Sequence, residues 1–126
     1  MQSIIKPLRI LVVEDETFVR MDVVEMLRDA GFDIVEAVNA DEAIRLLAMH
    51  SDIRLIFTDI DMAGSINGLE LAAIARNRWP SIRIVLTSGQ CNVQAGDLPA
   101  GARFLSKPYQ PAHIIRAVRE LINAEW

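Results

Sequence analysis

Side chains that could do chemistry stand at the ends of several apolar segments in this 126-residue sequence. Glu14 and Asp15 follow the first such segment, Asp59 follows a later one, and Thr87 and Lys107 mark the ends of the last two. Three carboxylates packed within a few ångströms repel one another and could not all stay ionised unaided. A few carboxylates with water and phosphate oxygens are the usual environment of Mg²⁺. The acids therefore predict a Mg²⁺ site.

Thr87, its neighbour Ser88 and Lys107 indicate what the ion would help to hold. A lysine facing carboxylates adds a positive charge that suits a phosphoryl group, and a hydroxyl can donate a hydrogen bond to one of its oxygens. Each residue alone has a structural explanation, such as helix capping by the acids or a turn at Lys107. Those explanations do not predict a charged or hydroxyl side chain at the end of four different apolar segments. The set indicates a phosphoryl group held on a carboxylate beside Mg²⁺.

The elements that must position these residues alternate between short apolar runs and stretches of helical period. The apolar runs predict strands over residues 8–13, 33–38, 55–58, 82–87 and 103–106. The helical patterns predict helices over 17–30, from the N-cap Asn39 to about 50, over about 69–78, and from Pro111 onward. The first helix carries an apolar stripe of Phe18, Val19, Val23, Met26 and Leu27.

This alternation predicts a three-layer α/β domain, in which helices cover both faces of a parallel sheet. Short links between the repeats imply right-handed crossovers. Ligands of such sheets bind beyond the carboxyl ends of the strands, where the acids, the hydroxyl and the ammonium group would meet. One repeat is weak, because Gly96 and Pro99 lie where a helix would run between residues 89 and 101. We expect this fourth helix to be short, irregular or absent.

Length and composition exclude several classes of protein. With 126 residues and 52% apolar content, the chain suits a single domain over residues 1–126 and is too apolar to be disordered. No apolar run approaches the roughly 20 residues of a membrane span, and the N-terminus lacks the features of a signal peptide. We therefore expect a cytoplasmic protein without membrane insertion. The lone Cys91 can form no internal disulfide, and the net charge of −4 argues against direct nucleic-acid binding.

The ordered set of motifs resembles the receiver domain of response regulators in two-component signalling over nearly the whole chain. The matching segments, in chain order, are residues 10–16, 58–59, 67–71, 86–88 and 104–109. The resemblance implies a flavodoxin-like receiver fold, which is a doubly wound, five-stranded parallel sheet in the order 2-1-3-4-5. It also implies a stand-alone response regulator, a phosphoprotein that signals through changed protein contacts or through a phosphorelay.

The resemblance implies a role for each residue of the site. Asp59 is the phospho-acceptor. The Mg²⁺ ligands are Glu14, Asp15, Asp59 and the backbone carbonyl of Asp61. The phosphoryl-binding and switch residues are Thr87, Ser88, Lys107 and Phe104, whose ring moves inward when Thr87 moves. The donor is a sensor histidine kinase or a phosphotransfer protein, and the chain performs no chemistry beyond its own phosphorylation and dephosphorylation. The protein would be a monomer or weak homodimer with a downstream protein target.

The segment after Asp59 departs from the family pattern, in which a proline stands four residues after the acceptor. Ala63 occupies that position and the loop to Gly68 is one residue longer, so we expect a less stiff loop. Asp61 adds a carboxylate near the site, which could retune the Mg²⁺ affinity or the lifetime of the phosphoryl group. The helix-poor segment 89–101 argues against the dimer that most receivers form, and predicts ordering of that segment on phosphorylation.

Three other functions fit parts of the pattern. A degenerate receiver would act as an unphosphorylated scaffold, and the unusual loop over residues 59–68 is the one feature that favours it. Residues 55–61 resemble the first motif of haloacid-dehalogenase-type phosphatases, but in those enzymes the motif lies on the first strand and the other acids follow it. A flavodoxin-like flavin binder would need a phosphate-binding loop after the first strand, where Glu14 and Asp15 would repel a phosphate.

Overall fold

The computed structural model describes residues 8–89 and 98–123. Five parallel strands form one sheet in the order β2-β1-β3-β4-β5, which confirms the predicted topology. The strands are β1 (Arg9–Val13), β2 (Asp33–Ala37), β3 (Ile53–Asp59), β4 (Arg83–Ser88) and β5 (Arg103–Ser106). The helices of the described ranges are α1 (Thr17–Asp29), α2 (Ala40–Met49), α3 (Gly68–Arg78) and α4 (Pro111–Asn123). Within these ranges, no helix combines the length and the apolar character that a membrane crossing requires.

Both faces of the sheet are buried, because alternate residues of each strand enter two separate apolar clusters. Leu11 of β1 belongs to the cluster that includes Leu71 of α3 and residues of α2. Val12, the next residue, belongs to the cluster that includes Leu27 of α1 and Ile114 of α4. The confirmed α/β architecture therefore has helices on each face, with β1 in the middle of the core. A strand held on both faces gives the residue at its carboxyl end a fixed position.

Side-chain caps set the starts of α2 and α3. The side chain of Asn39 accepts a hydrogen bond from the Glu42 N–H at 2.8 Å, as the predicted N-cap requires. At α3, Asn67 accepts from the Glu70 N–H at 2.9 Å, and Glu70 accepts from the Asn67 N–H at 3.0 Å. This capping box starts α3 at Gly68, one residue earlier than predicted, directly beside the end of β3.

The predicted apolar stripe of α1 is wrong at Phe18, whose residue is 81% exposed. The buried residues of this helix are Val23, Val24 and Leu27. Successive residues of an α-helix turn by about 100°, so Phe18 lies on the side opposite Leu27. Phe18 therefore projects from the protein surface.

The bounds of β3 also differ from the prediction, which began this strand at residue 55. The strand begins at Ile53, which is buried and pairs with Arg9 of β1. Arg54, the next residue, is exposed and interrupts the apolar run. The strand therefore starts with alternating buried and exposed residues, which a search for a continuous apolar run does not detect.

The predicted weak repeat between residues 89 and 101 falls only in part on described residues. Residues 90–97, which include Cys91 and Gly96, lie outside them. Just before β5, the Ala102 N–H donates to the Pro99 carbonyl at 3.1 Å, and Gly101 has a φ of +81°. These residues form a turn that leads into β5.

Candidate functional site

Three carboxylates meet at the carboxyl ends of the two central strands. Glu14 follows β1 and Asp59 ends β3, and each is only 4% exposed. Asp15 is exposed. One carboxylate oxygen from each of the three residues lies within 4.8 Å of the others. The structure thus brings together the three acids that the sequence singled out, at a spacing that a single cation can span.

Strand pairing explains this proximity. Val13 of β1 pairs with Thr58 of β3 in a parallel register, so the residues that follow them, Glu14 and Asp59, come side by side. The Glu14 N–H donates to the carbonyl of Ala37 at the end of β2, at 3.1 Å. Pairing of β1 with both β2 and β3 therefore fixes the position of Glu14.

Lys107 brings a positive charge to the same place. Its Nζ lies 3.0 Å from Asp59 Oδ2 and 3.6 Å from Glu14 Oε1. Its backbone N–H donates to the Ser88 carbonyl at 2.9 Å, which keeps the residue beyond β5 against the end of β4. Burial by itself lowers the pKa of Lys107, but the hydrogen bond and the negative charge of Asp59, together with Glu14, raise it above the ordinary value. Lys107 therefore stays cationic.

The pKa of Glu14 reflects mainly the burial of this carboxyl group. Burial raises the pKa of Glu14 to about 7; the N–H of Glu16, which donates to Glu14 Oε2 at 3.1 Å, opposes this rise, and the charge of Asp59 adds to it. Glu14 therefore keeps its proton to a higher pH than an exposed glutamate does. A cation that binds there would displace this proton, because metal ligands must be deprotonated.

The hydroxyl oxygen of Thr87 is buried, and within the described part of the chain it has no hydrogen-bond partner. Thr87 stands opposite Asp59 in the register of β3 and β4, and its carbonyl accepts from the Ile60 N–H at 2.8 Å. An unpaired buried hydroxyl costs about 1–3 kcal/mol. An oxygen of a group carried by Asp59 would supply the missing acceptor. The residues present therefore fit Mg²⁺, through three hard oxygen ligands, and a phosphoryl group, through Thr87 and Lys107.

Ser88 and Asp61 bind each other beside this cluster. Ser88 Oγ donates to Asp61 Oδ2 at 2.7 Å, and the Asp61 N–H donates to Asp59 Oδ1 at 3.2 Å. The additional carboxylate that the sequence placed near the site is thus tied to the end of β4. Asp61 also holds one oxygen of Asp59 through its backbone, in the turn that an aspartate side chain commonly forms with the N–H two residues later.

Phe104 and Tyr109 lie on opposite faces of the sheet. Phe104 on β5 is half-buried, pairs with Leu86 of β4, and packs against the apolar cluster of α2 and α3. Tyr109 packs in the other cluster, where its ring meets that of Phe57 edge-on with centroids 6.2 Å apart. Aromatic side chains thus contact the sheet from both faces near Lys107.

Gly68 lies against the backbone of Asp59, a contact that the sequence did not predict. A Cβ atom at this position would clash with the carbonyl oxygen of Asp59 and the Cα of Ile60. The Gly68 N–H donates to the Ile60 carbonyl at 3.1 Å. The one available signal was a glycine directly after an asparagine cap, where the start of a helix can approach another segment of backbone.

The loop between β3 and α3, residues 60–67, is tied to two further elements. The Ala63 N–H donates to Asp15 Oδ2 at 3.1 Å, and Ser65 Oγ donates to Asp41 Oδ2 in α2 at 2.9 Å. Sequence reasoning missed both contacts. A backbone donor has no sequence signature, because every residue except proline carries one.

Comparison with known proteins gives consistent results. Residues 10–119 match the family model of the response regulator receiver domain. The transcriptional regulatory protein PdtaR of Mycobacterium tuberculosis is 35% identical over 120 residues, a match that covers 93% of this chain and 58% of PdtaR. The chain therefore spans little more than half the length of that relative.

Solved structures resemble the chain over most of its length. A response regulator receiver protein from Sinorhizobium medicae is 31% identical with a TM-score of 0.89, and the match covers 94% of this chain and 97% of that one. The response regulator protein TrrA of Thermotoga maritima, solved in complex with Mg²⁺-BeF, is 27% identical with a TM-score of 0.78 and coverages of 90% and 97%.

Proposed function

Because the chain belongs to the response-regulator receiver family, we propose that it accepts a phosphoryl group on Asp59 from a sensor histidine kinase or a phosphotransfer protein. The observation that carries this proposal is the setting of Asp59, a buried carboxylate grouped with two other acids and 3.0 Å from the Lys107 ammonium. Receiver domains are in general signalling domains rather than enzymes. We confine the chemistry of this chain to formation and loss of its own acyl phosphate.

The proposed step is a phosphoryl transfer between two side chains. A carboxylate oxygen of Asp59 forms the new O–P bond while the N–P bond of the donor phosphohistidine breaks, and the imidazole nitrogen keeps the electron pair. The Asp61 N–H holds Asp59 Oδ1 and the Lys107 ammonium holds Oδ2, so the acceptor is oriented before the donor arrives. Catalysis of phosphoryl transfer depends mostly on such positioning and on electrostatics.

Glu14, Asp15 and Asp59, with the backbone carbonyl of Asp61, are the residues that would hold Mg²⁺. When bound, Mg²⁺ supplies positive charge to the transferring phosphoryl oxygens. The complex of TrrA with Mg²⁺-BeF supports this part of the proposal by similarity. Mutual repulsion of the three carboxylates, which lie within 4.8 Å of one another, supports it physically.

The remaining site residues respond to the phosphoryl group. Thr87 donates its unpaired hydroxyl to a phosphoryl oxygen, and Lys107 exchanges part of its contact with Asp59 for another phosphoryl oxygen. We assign Ser88, through its bond to Asp61, and Phe104, through its place on β5, to the switch that follows. Contacts that differ between the two states must supply the shift in population.

The output of the proposed protein is a change of partner contacts or transfer of the phosphoryl group to another protein. The proposal comprises a single-domain, cytoplasmic, stand-alone receiver that is a monomer or weak homodimer. Its partners are a kinase or phosphotransfer protein and a downstream protein target, without direct nucleic-acid binding or membrane insertion. The match over 97% of the Sinorhizobium receiver chain supports the stand-alone form.

Incubation with Mg²⁺ and acetyl phosphate, followed by intact mass spectrometry, tests this function. We expect the wild-type protein to gain the mass of one phosphoryl group and Asp59→Asn to gain none. Asp61→Asn is the matched control, because its carboxylate is tied to Ser88 and its backbone is unchanged; it should still be phosphorylated. A folded wild-type protein that gains no mass would favour the degenerate scaffold, and steady hydrolysis of phosphate monoesters would favour the phosphatase.

A further inference from the structure

The exposed carboxylate of the site, Asp15, accepts a hydrogen bond from the backbone of a different loop. The Ala63 N–H donates to Asp15 Oδ2 at 3.1 Å. Glu14 and Asp59 are buried at strand ends, whereas Asp15 is exposed. Repulsion among three close carboxylates favours rotation of the most exposed one into water. The bond from Ala63 resists that rotation.

This bond leaves Asp15 able to hold an ion. The Ala63 N–H contacts one carboxylate oxygen of Asp15. In this same arrangement, oxygens of Glu14, Asp15 and Asp59 lie within 4.8 Å of one another. Carboxylates that ligate metals are commonly oriented by hydrogen bonds from groups outside the ligand set, and loss of these groups weakens metal binding.

The loop that supplies the N–H is anchored on both sides of Ala63. Before it, the Asp61 carboxylate accepts from Ser88 at 2.7 Å. After it, the Ser65 hydroxyl donates to α2 at 2.9 Å. These two contacts keep the intervening backbone in place, so that the Ala63 N–H stays directed at Asp15.

We propose that the backbone N–H of Ala63 is a positioning group of the Mg²⁺ site, which holds Asp15 in the arrangement that binds the ion. This inference rests on the proposed function. It adds to the Mg²⁺ site a residue that acts through its backbone N–H and not through its side chain. Proline, which the family pattern has at this position, cannot donate the bond. Coupling is reciprocal, so an ion held by Asp15 strengthens the bond to Ala63 and steadies the loop over residues 60–67.

Calorimetric titration of Mg²⁺ into wild type, Ala63→Pro and Ala63→Val tests this inference. Ala63→Pro removes the N–H, whereas Ala63→Val keeps it and also restricts the backbone, which makes it the control for stiffening. We expect Ala63→Pro to bind Mg²⁺ about 10-fold more weakly, and Ala63→Val to stay within about twofold of wild type. Equal or tighter binding by Ala63→Pro, or the same weakening in both variants, would overturn the inference.

Hydrogen exchange of the Ala63 amide, followed by NMR in the wild-type protein, tests the same bond without a substitution. We expect Mg²⁺ to slow this exchange; unchanged or faster exchange in the Mg²⁺-bound protein contradicts the inference. If neither wild type nor Ala63→Pro binds Mg²⁺, the proposed ion site fails together with this inference. If wild type binds Mg²⁺ and Ala63→Pro binds it equally well, only the role of Ala63 fails.

Discussion

The buried half of the site and its exposed half are built in different ways. The buried half, Glu14, Asp59 and Thr87, stands at adjacent strand ends, and each of these residues is at most 4% exposed. The exposed half, Asp15 and residues 61–67 of the loop, is held by hydrogen bonds from Ala63 and Ser65. Parallel pairing positions the first half, whereas individual loop contacts position the second. The sheet therefore fixes the geometry around Asp59, whereas the orientation of Asp15 depends on single loop residues.

Replacement of Gly68 should disturb the buried half most strongly. In Gly68→Ala, the new Cβ meets the carbonyl oxygen of Asp59, so the start of α3 or the end of β3 must move. Overpacking against backbone costs about 2–3 kcal/mol. We expect the free energy of unfolding, measured in urea, to fall by about this amount and phosphorylation of Asp59 to slow.

Gly64→Ala is the matched control in the exposed half. Gly64 has a φ of +127°, and a Cβ there would meet no atom within 4 Å, so only backbone strain opposes the substitution. We expect a loss of about 1 kcal/mol. If Gly64→Ala destabilises the protein more than Gly68→Ala, the buried half does not depend on the close approach of α3.

The burial of Glu14 predicts a pH dependence in metal-free protein. Since its pKa is raised from 4.5 to about 7, the folded state holds a proton that the unfolded state lacks between these values. This contribution to stability is fully present below pH 4.5 and is lost as pH rises through 7. We expect urea unfolding to show a loss on the order of 2 kcal/mol across this window in wild type relative to Glu14→Gln.

Asp15→Asn separates this effect from the general charge of the cluster. It removes an exposed acid and leaves Glu14 buried, so most of the fall in stability should persist. Parallel pH profiles of stability for wild type and Glu14→Gln would show that burial does not raise the pKa of Glu14.

Two hydrogen bonds from serine to a carboxylate, one exposed and one buried, should show the smallest difference in stability. Ser65 donates to Asp41 at an exposed site, whereas Ser88, which is buried, donates to Asp61. We expect Ser65→Ala to cost at most about 0.5 kcal/mol in urea unfolding, and Ser88→Ala about 1–2 kcal/mol. Equal costs would mean that burial of the serine does not set the cost of losing either bond.

The features that depend on strand pattern could be predicted from the sequence. The apolar runs before Glu14 and Asp59 mark buried parallel strands, and the carboxyl ends of such strands share one edge. This rule brings Thr87 and Lys107 to the same edge without knowledge of the loops. The resemblance to receivers then indicated the strand order, which the structure confirms.

The features that depend on loop geometry could not be predicted. The contact of the Ala63 N–H with Asp15 uses a group that nearly every residue has, and the bond between Ser88 and Asp61 joins residues 27 apart in sequence. The apolar pattern predicts Phe18 on the core-facing stripe, but this residue of the first helical turn is exposed. Tertiary contacts decide the two hydrogen bonds, whereas the turn of about 100° per helical residue places Phe18 on the exposed side.

The edge-on contact of Tyr109 with Phe57 gives the protein a built-in spectroscopic reporter. Tyr109 is the single tyrosine of the chain, so fluorotyrosine incorporated during expression would give one ¹⁹F resonance. Its ring packs on a residue two positions before Asp59 and belongs to the segment that carries Lys107. One label without any substitution would therefore follow the occupancy and kinetics of the site in real time.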